Sequence, residues 1–310
     1  MALNYAEVWS PDLLEIMEQE SLTSPFVTTA VKWLSAKTFH FTQMSTSGYK
    51  SHSRLGGWNK GTFAQTDVPF TLTHDRDIQF MIDKIDVDET NETASIKNIS
   101  EVFHKTQQIP EMDAYFYSKV ATEAQKLDGY HSSTALSSYT KENVYGKLKA
   151  MLSAGKLRRY VAKGALIAYV NSTIMDLLEQ STDFTRKIEM TQIAEGGIGI
   201  ETRITDIDGV TLIEVIDDER FYDKFDFTDG FAPVASTSHK INVLIASPLT
   251  VKTVPKIASI YYFNPGQHTE GDGYLYQDRS LSDTFVFPNG KDNKIDSIYV
   301  DVDTETYTAE

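Results

Sequence analysis

Carboxylates crowd together at two places in the C-terminal third, Asp206-Ile207-Asp208-Gly209 and Asp217-Asp218-Glu219. Such clusters can hold a divalent cation or serve metal-assisted hydrolysis. The first lacks the third acidic ligand of a calcium loop and carries its glycine at the wrong offset, so it reads as an acidic turn. The second has no partnering motif and reads as a solvated loop. The seven histidines, at 40, 52, 74, 104, 131, 239 and 268, form no close pair at metal-ligand spacing. With no cysteine there is no thiolate zinc site, iron–sulfur cluster, disulfide or thiol nucleophile. The phosphate-binding loop, the dinucleotide glycine fingerprint, HExxH and GxSxG are all missing. No cofactor, metal or catalytic residue is expected.

Charge narrows the field further. The 310 residues hold 29 Lys+Arg against 44 Asp+Glu, a net −15. A chain this acidic is a poor general binder of nucleic acid. The deficit is uneven, at −7 over 1–140, +3 over 141–200 and −11 over 201–310. Lys156, Arg158, Arg159 and Lys163 form a basic cluster without interleaved aromatics, which reads as a solvated or subunit-facing surface. No apolar run approaches the roughly 18 residues of a membrane span, and no secretory signal is expected. The sequons at Asn91, Asn98 and Asn171 are therefore expected to stay unmodified.

The elements that must position any site follow from periodicity. Ser10, Pro11 and Asp12 open a short helix through Gln19, with Tyr5, Val8 and Trp9 on an arm ahead of it. Residues 38–42 read as a strand, and 45–62 as a polar tip rich in Ser, Gly, Thr and Asn. Val68, Phe70 and Leu72 then alternate with threonines, and Ile78, Phe80 and Ile82 continue the period of two. The pattern predicts an extended hairpin too poor in apolar residues to order itself without a partner surface.

A helix follows over 92–106. Pro110 restarts it, and Met112, Phe116, Val120, Ala124 and Leu127 stripe a spine of about 28 Å ending at Gly129. Tyr115 and Tyr117 are expected at its flanks, on the rim of the core. Next come a helix over 141–154 stopped by Gly155, a strand over 165–170, and a helix capped by Asn171 or Ser172 through Glu179. Strand-like runs recur at 199–203, 211–216, 241–246, 257–263 and 295–302, with Asp208-Gly209 as a turn before the second.

Two stretches carry a resemblance. One is Phe70-Thr71-Leu72-Thr73-His74-Asp75-Arg76-Asp77-Ile78-Gln79-Phe80-Met81-Ile82-Asp83, with Asp88-Glu89-Thr90 and Ile109-Pro110-Glu111-Met112-Asp113-Ala114-Tyr115 beyond it. The other is Pro265-Gly266-Gln267-His268-Thr269, then Gly271-Asp272-Gly273-Tyr274-Leu275-Tyr276 and Asp283-Thr284-Phe285-Val286-Phe287-Pro288-Asn289-Gly290. With the order of elements, these resemble the major capsid proteins of tailed bacteriophages, in particular siphophages of Gram-positive hosts. The element order covers nearly the whole chain, and the local similarity about a third of it.

The resemblance implies an α+β, HK97-like capsid fold. Its parts would be an N-terminal arm and short helix (1–36), an extended β-hairpin loop (37–84), a peripheral domain with the spine helix (85–130 and 251–310) and an axial domain (131–250). It implies a structural, non-enzymatic chain that assembles with itself as hexamers and pentamers into an icosahedral shell, in the host cytoplasm and then the virion. The shell encloses double-stranded DNA without sequence-specific binding. Implied partners are a separate scaffolding protein, a portal protein and, in some shells, a decoration protein; no membrane is involved. Tyr5, Trp9, Lys50, Arg54, Trp58 and Lys60 are the candidate intersubunit contacts, chosen by place and side-chain type. Some relatives crosslink a loop lysine to a neighbour's asparagine; Lys50 and Lys60 lie in the right loop, but no acceptor asparagine or assisting carboxylate matches. An encapsulin-like compartment and a metal-dependent hydrolase or nuclease using the acidic third are the alternatives.

Overall fold

The computed structural model describes residues 21–29, 33, 35, 37–52, 54, 56–84, 96–161, 165–181, 189–191, 202–288 and 294–308. The helix expected over 10–19, with Tyr5 and Trp9, lies outside them. The N-terminal strands are β1 (Thr38–Thr46), β2 (Phe63–Thr71), β3 (His74–Asp83), β4 (His131–Ser133), β5 (Ile167–Asn171) and β6 (Glu189–Thr191). They are followed by β7 (Thr202–Ile207), β8 (Val210–Val215), β9 (Phe225–Asp226) and β10 (Ala232–Pro233). The last four are β11 (His239–Ala246), β12 (Val251–Phe263), β13 (Gly273–Val286) and β14 (Ile298–Thr306). The helices are α1 (Ile96–Phe103), α2 (Ile109–Gln125), α3 (Val144–Leu152), α4 (Arg158–Val161) and α5 (Ser172–Glu179).

The centre is a mixed seven-stranded sheet in the order β4-β14-β11-β5-β8-β7-β6. Its middle strands, β14, β11, β5 and β8, are buried on both faces because helices cover both. Tyr169, Val215, Leu244 and Val300 face α2, whose Phe116, Tyr117, Val120, Ala121 and Ala124 are buried among them. Ala168, Val170, Leu212, Val243 and Ile245 face away, toward Leu148, Met151, Leu152, Ile174, Met175 and Leu178 of α3 and α5. Tyr117 is fully buried, not on the rim: its ring meets Tyr169 and Phe221 edge-on at 5.1 and 4.9 Å. The Asn171 side chain caps α5 by accepting from Thr173 N at 2.9 Å. Asp208 and Gly209 both take positive φ, the requirement of the two-residue turn joining β7 to β8.

The long helix does not break at Pro110. A π-helical turn, His104–Gln108, joins α1 to α2. Pro110 has no N–H for the carbonyl one turn back and its ring crowds that turn; the wider π turn lies where that strain falls.

Two further sheets complete the fold. β1 and β2 pair antiparallel from Thr38–Thr71 to Thr46–Phe63 and, among the described residues, pair with no other strand apart from a single bridge between Phe39 and Trp33. β12, β13 and β3 form an antiparallel three-stranded sheet with β13 in the middle. Two strands therefore fall elsewhere than the sequence-based grouping puts them. β3, grouped with the loop, pairs with β13 along its whole length, and its strict alternation of half-buried and exposed residues fits a sheet edge covered on one face. β14, grouped with the spine helix, lies between β4 and β11 in the central sheet, where Ile298 through Asp303 are all buried.

Candidate functional site

The β1–β2 hairpin stands out because only its base has a core. There Phe39, Phe70 and Leu72 pack with Val254, Leu281, Phe285 and Phe287. Phe39 lies edge-on to Phe285 at 5.2 Å and Phe41 stacks on Phe287 at 4.7 Å. Residues 44–52 and 56–65 are exposed, including Met44, Tyr49, Trp58 and Phe63. These five aromatic rings hold a lever whose far end is exposed.

The lever turns into β3 through a polar hinge. Leu72 N donates to Lys37 O at 2.9 Å and closes the base. Thr73 donates from N and Oγ1 to Asp283 Oδ2 at 2.9 and 2.8 Å, while Tyr115 OH donates to Oδ1 at 2.8 Å. Burial first, and the Asp283 charge second, push the Tyr115 phenol above its ordinary range, so it remains a donor. His74 stacks on Tyr115 at 3.9 Å, with Phe227 edge-on to both. Arg76 binds Glu111 through Nε at 2.6 Å and Gly230 O through Nη2 at 3.1 Å, and Nη1 donates to Phe227 O. Asp75 takes Arg279 in a bidentate pair at 3.1 and 3.0 Å and Lys37 at 3.1 Å. The Arg279 bonds first, then Lys37, hold its carboxyl down to about 2. The hinge fixes the direction of the hairpin from three sides: α2, β13 and the loop after β9.

The tip is braced within itself. Ser47 N donates to Thr62 O at 2.8 Å and Thr62 N to Ser47 Oγ at 2.9 Å. Asn59 Nδ2 reaches Ser51 O at 2.9 Å, and Lys50 Nζ donates to Lys60 O at 3.1 Å. Of the six sequence-chosen contact residues, Lys50, Arg54, Trp58 and Lys60 come together on this exposed tip. Tyr5 and Trp9 lie outside the described residues.

A second polar centre ties the chain after the arm to the spine. Asp113, on α2 and fully buried, accepts from Thr23 Oγ1 at 2.6 Å, Ser21 Oγ at 2.9 Å, Leu22 N at 3.2 Å and Arg220 Nη1 at 3.3 Å. Burial raises its carboxyl above the ordinary range against the pull of these donors. Arg220, itself buried, also binds Asp217. This clasp fixes residues 21–23 against α2. Sequence reading missed both the clasp and the hinge, because their members stand 35 to 210 positions apart.

Three of the five crowded carboxylates, Asp208, Asp217 and Asp218, are ion-pair partners within the chain. Asp208 pairs with Arg158 at 3.1 Å and Lys149 at 3.6 Å, and Asp218 pairs with Lys240. Among the described residues no three His, Asp or Glu side chains are placed to hold a metal. None of their helices is long and apolar enough to cross a membrane.

No protein-family model matches the chain, and no curated protein does. Solved structures do. The mature capsid of bacteriophage PhiM1 aligns with a TM-score of 0.65 at 12% identity, over 97% of this chain and 92% of that one. The capsid of cyanophage P-SCSP1u aligns with a TM-score of 0.61 at 11% identity, over 96% and 92%. The capsid of the Myoviridae phage XM1 gives 0.54 at 8%, over 95% of both chains. The chain thus shares the α+β fold of these phage capsid structures over 95–97% of its length.

Proposed function

We propose that this chain is the major shell protein of a tailed bacteriophage head, of HK97-like fold, and that it has no enzymatic role. The observation that carries the reading is the hairpin: a lever rigidly set at its base by aromatic packing and the Asp283 hinge, with a bare tip. Such a projection lowers the free energy of the chain only when a second molecule covers it, and repeated copies arranged by symmetry cover all of them. The full-length likeness to capsid chains supports the same reading.

In this reading the copies form hexamers and pentamers around a separate scaffolding protein, with a portal at one vertex, and decoration proteins are optional additions. The siphophage of a Gram-positive host, assembly in the host cytoplasm and the enclosed double-stranded DNA belong to the same proposal. A net charge of −15 suits a wall that must contain DNA without gripping it during filling. Tight binding of duplex DNA by isolated shells at physiological salt would contradict that point. Electron microscopy of the purified chain, alone and with the candidate scaffold, tests the whole. Closed particles of uniform curvature are expected. Discrete monomers under every assembly condition would refute the shell.

A further inference from the structure

Between Ser21 and Thr66 the chain has no Asp or Glu, while Lys32, Lys37, Lys50, Arg54 and Lys60 fall in that span. In a protein with 44 acidic residues this is a local reversal of sign. Three of those cations lie at the hairpin tip beside Trp58, which is 95% exposed. The body offers the opposite surface. A cavity of about 540 Å³ opens between β3, the π turn and the loop after β9. Asp77, Glu111, Asp229 and Asp278 line it over apolar walls that include Phe80 and Phe103. Its one arginine, Arg76, is committed to Glu111 and to the carbonyls of Phe227 and Gly230. The hollow is therefore lined by carboxylates and aromatic rings together, and its size is that of a specific binding pocket, about 300–1,000 Å³.

We infer that the hairpin tip of one copy docks in this acidic cavity of a second copy, with Trp58 entering among the aromatic walls and Arg54 and Lys60 facing the carboxylates of Asp77 and Asp229. The inference rests on the shell reading and adds where the tip lands. A chain's own tip cannot reach its own cavity: nine paired residues at about 3.3 Å each place the tip roughly 30 Å from the hinge, whereas the cavity begins at His74. Charge complementarity selects the partner and its register, and the buried aromatic supplies the anchor. Nucleic acid is the weaker match, since three cations on a strongly acidic chain neutralise few phosphates.

The absence of native cysteine makes the test direct. Trp58→Cys and Asp229→Cys chains, mixed under assembly conditions and mildly oxidised, are expected to give an interchain disulfide between the two variants. Trp58→Cys mixed with Lys126→Cys, an exposed site on the helix end, is the control. The expected yield is about tenfold above that control, as for a contact at high effective concentration. In parallel, Lys60→Glu is expected to slow assembly about tenfold, and Asp229→Lys in the same chain to restore it by exchanging the two signs. Normal particles whose disulfide yield equals the control overturn the docking and leave the shell standing. Assembly unaffected by Lys60→Glu, or tip variants that lose only DNA binding, also overturn it. A wild-type chain that never multimerises overturns both readings.

Discussion

The molecule contains two long β-hairpins that meet different fates. β1 and β2 run nine residues each and stand alone; β12 and β13 run 13 and 14 residues and are backed by β3 and the long helix. In the second hairpin Leu275, Leu281 and Phe285 are buried, and so are the polar Asp278, Ser282, Asp283 and Thr284. In the first, burial stops within three residues of the base. An isolated two-stranded ribbon is marginal in water, so the first hairpin keeps its shape through its anchored base and the bonds within its tip. Stability and interaction are thereby separated: the backed hairpin belongs to the body, and the bare one is offered to a partner.

The sharpest way to break this comparison is to attack the body where its polar groups are buried. Asp113→Ala leaves Arg220 buried with only Asp217 and frees the donors of residues 21–23. Removing one partner of a buried ion pair costs about 3–5 kcal/mol, and the urea midpoint should fall accordingly. A loss below about 1 kcal/mol would place the clasp energetically with surface pairs and erase the contrast.

The same contrast explains what could be read in advance. The capped helix after Asn171, the β7–β8 turn at Asp208-Gly209 and the apolar strands β8 and β11 were legible because local pattern and tertiary burial agree there. β13 was not. Its buried positions carry Asp, Ser and Thr, and the partners of Asp283 and Thr284 come from residue 73, α2 and β12, so no local period marks the strand. The tip residues were chosen by place and type, and four of them do share one surface. Their meaning as a sign reversal was hidden by averaging charge over 1–140, because acidic residues on either side of 21–66 outweigh it. The hinge exists only once Thr73, Tyr115 and Asp283 are folded together.

A smaller effect compares the two ends of the bare hairpin. Phe39 is 2% exposed and touches the rings of Trp33, Phe70, Phe285 and Phe287; Phe63 is 78% exposed. Phe39→Ala should cost about 3 kcal/mol, as for a buried phenylalanine. Phe63→Ala should change monomer stability by less than about 0.5 kcal/mol. Equal losses in denaturant titrations would mean that the tip is folded against its own chain after all.

The smallest expected effect lies at the joint between the two hairpins, where Asp75 links Lys37 ahead of β1 to Arg279 on β13. A carboxyl that ordinarily titrates at 3.8 is held down to about 2 in the folded chain. The native state therefore favours the ionised form, and the stabilisation is complete above about pH 4. As pH falls from 3.8 toward 2 the unfolded carboxyl takes up its proton first, the native one resists, and stability drains away across that window. Both cationic partners are about half exposed, so solvent screening keeps the gain well below that of a buried pair. Asp75→Asn should lower the urea midpoint at pH 5 to 7, and the wild-type and variant curves should converge near pH 2. Exchange of the Leu72 amide, bonded to Lys37 O, should speed up in the variant ahead of amides in the central sheet. A midpoint difference that persisted unchanged below pH 2 would show that Asp75 acts through packing instead of charge, and the hairpin base would then be held by its aromatics alone.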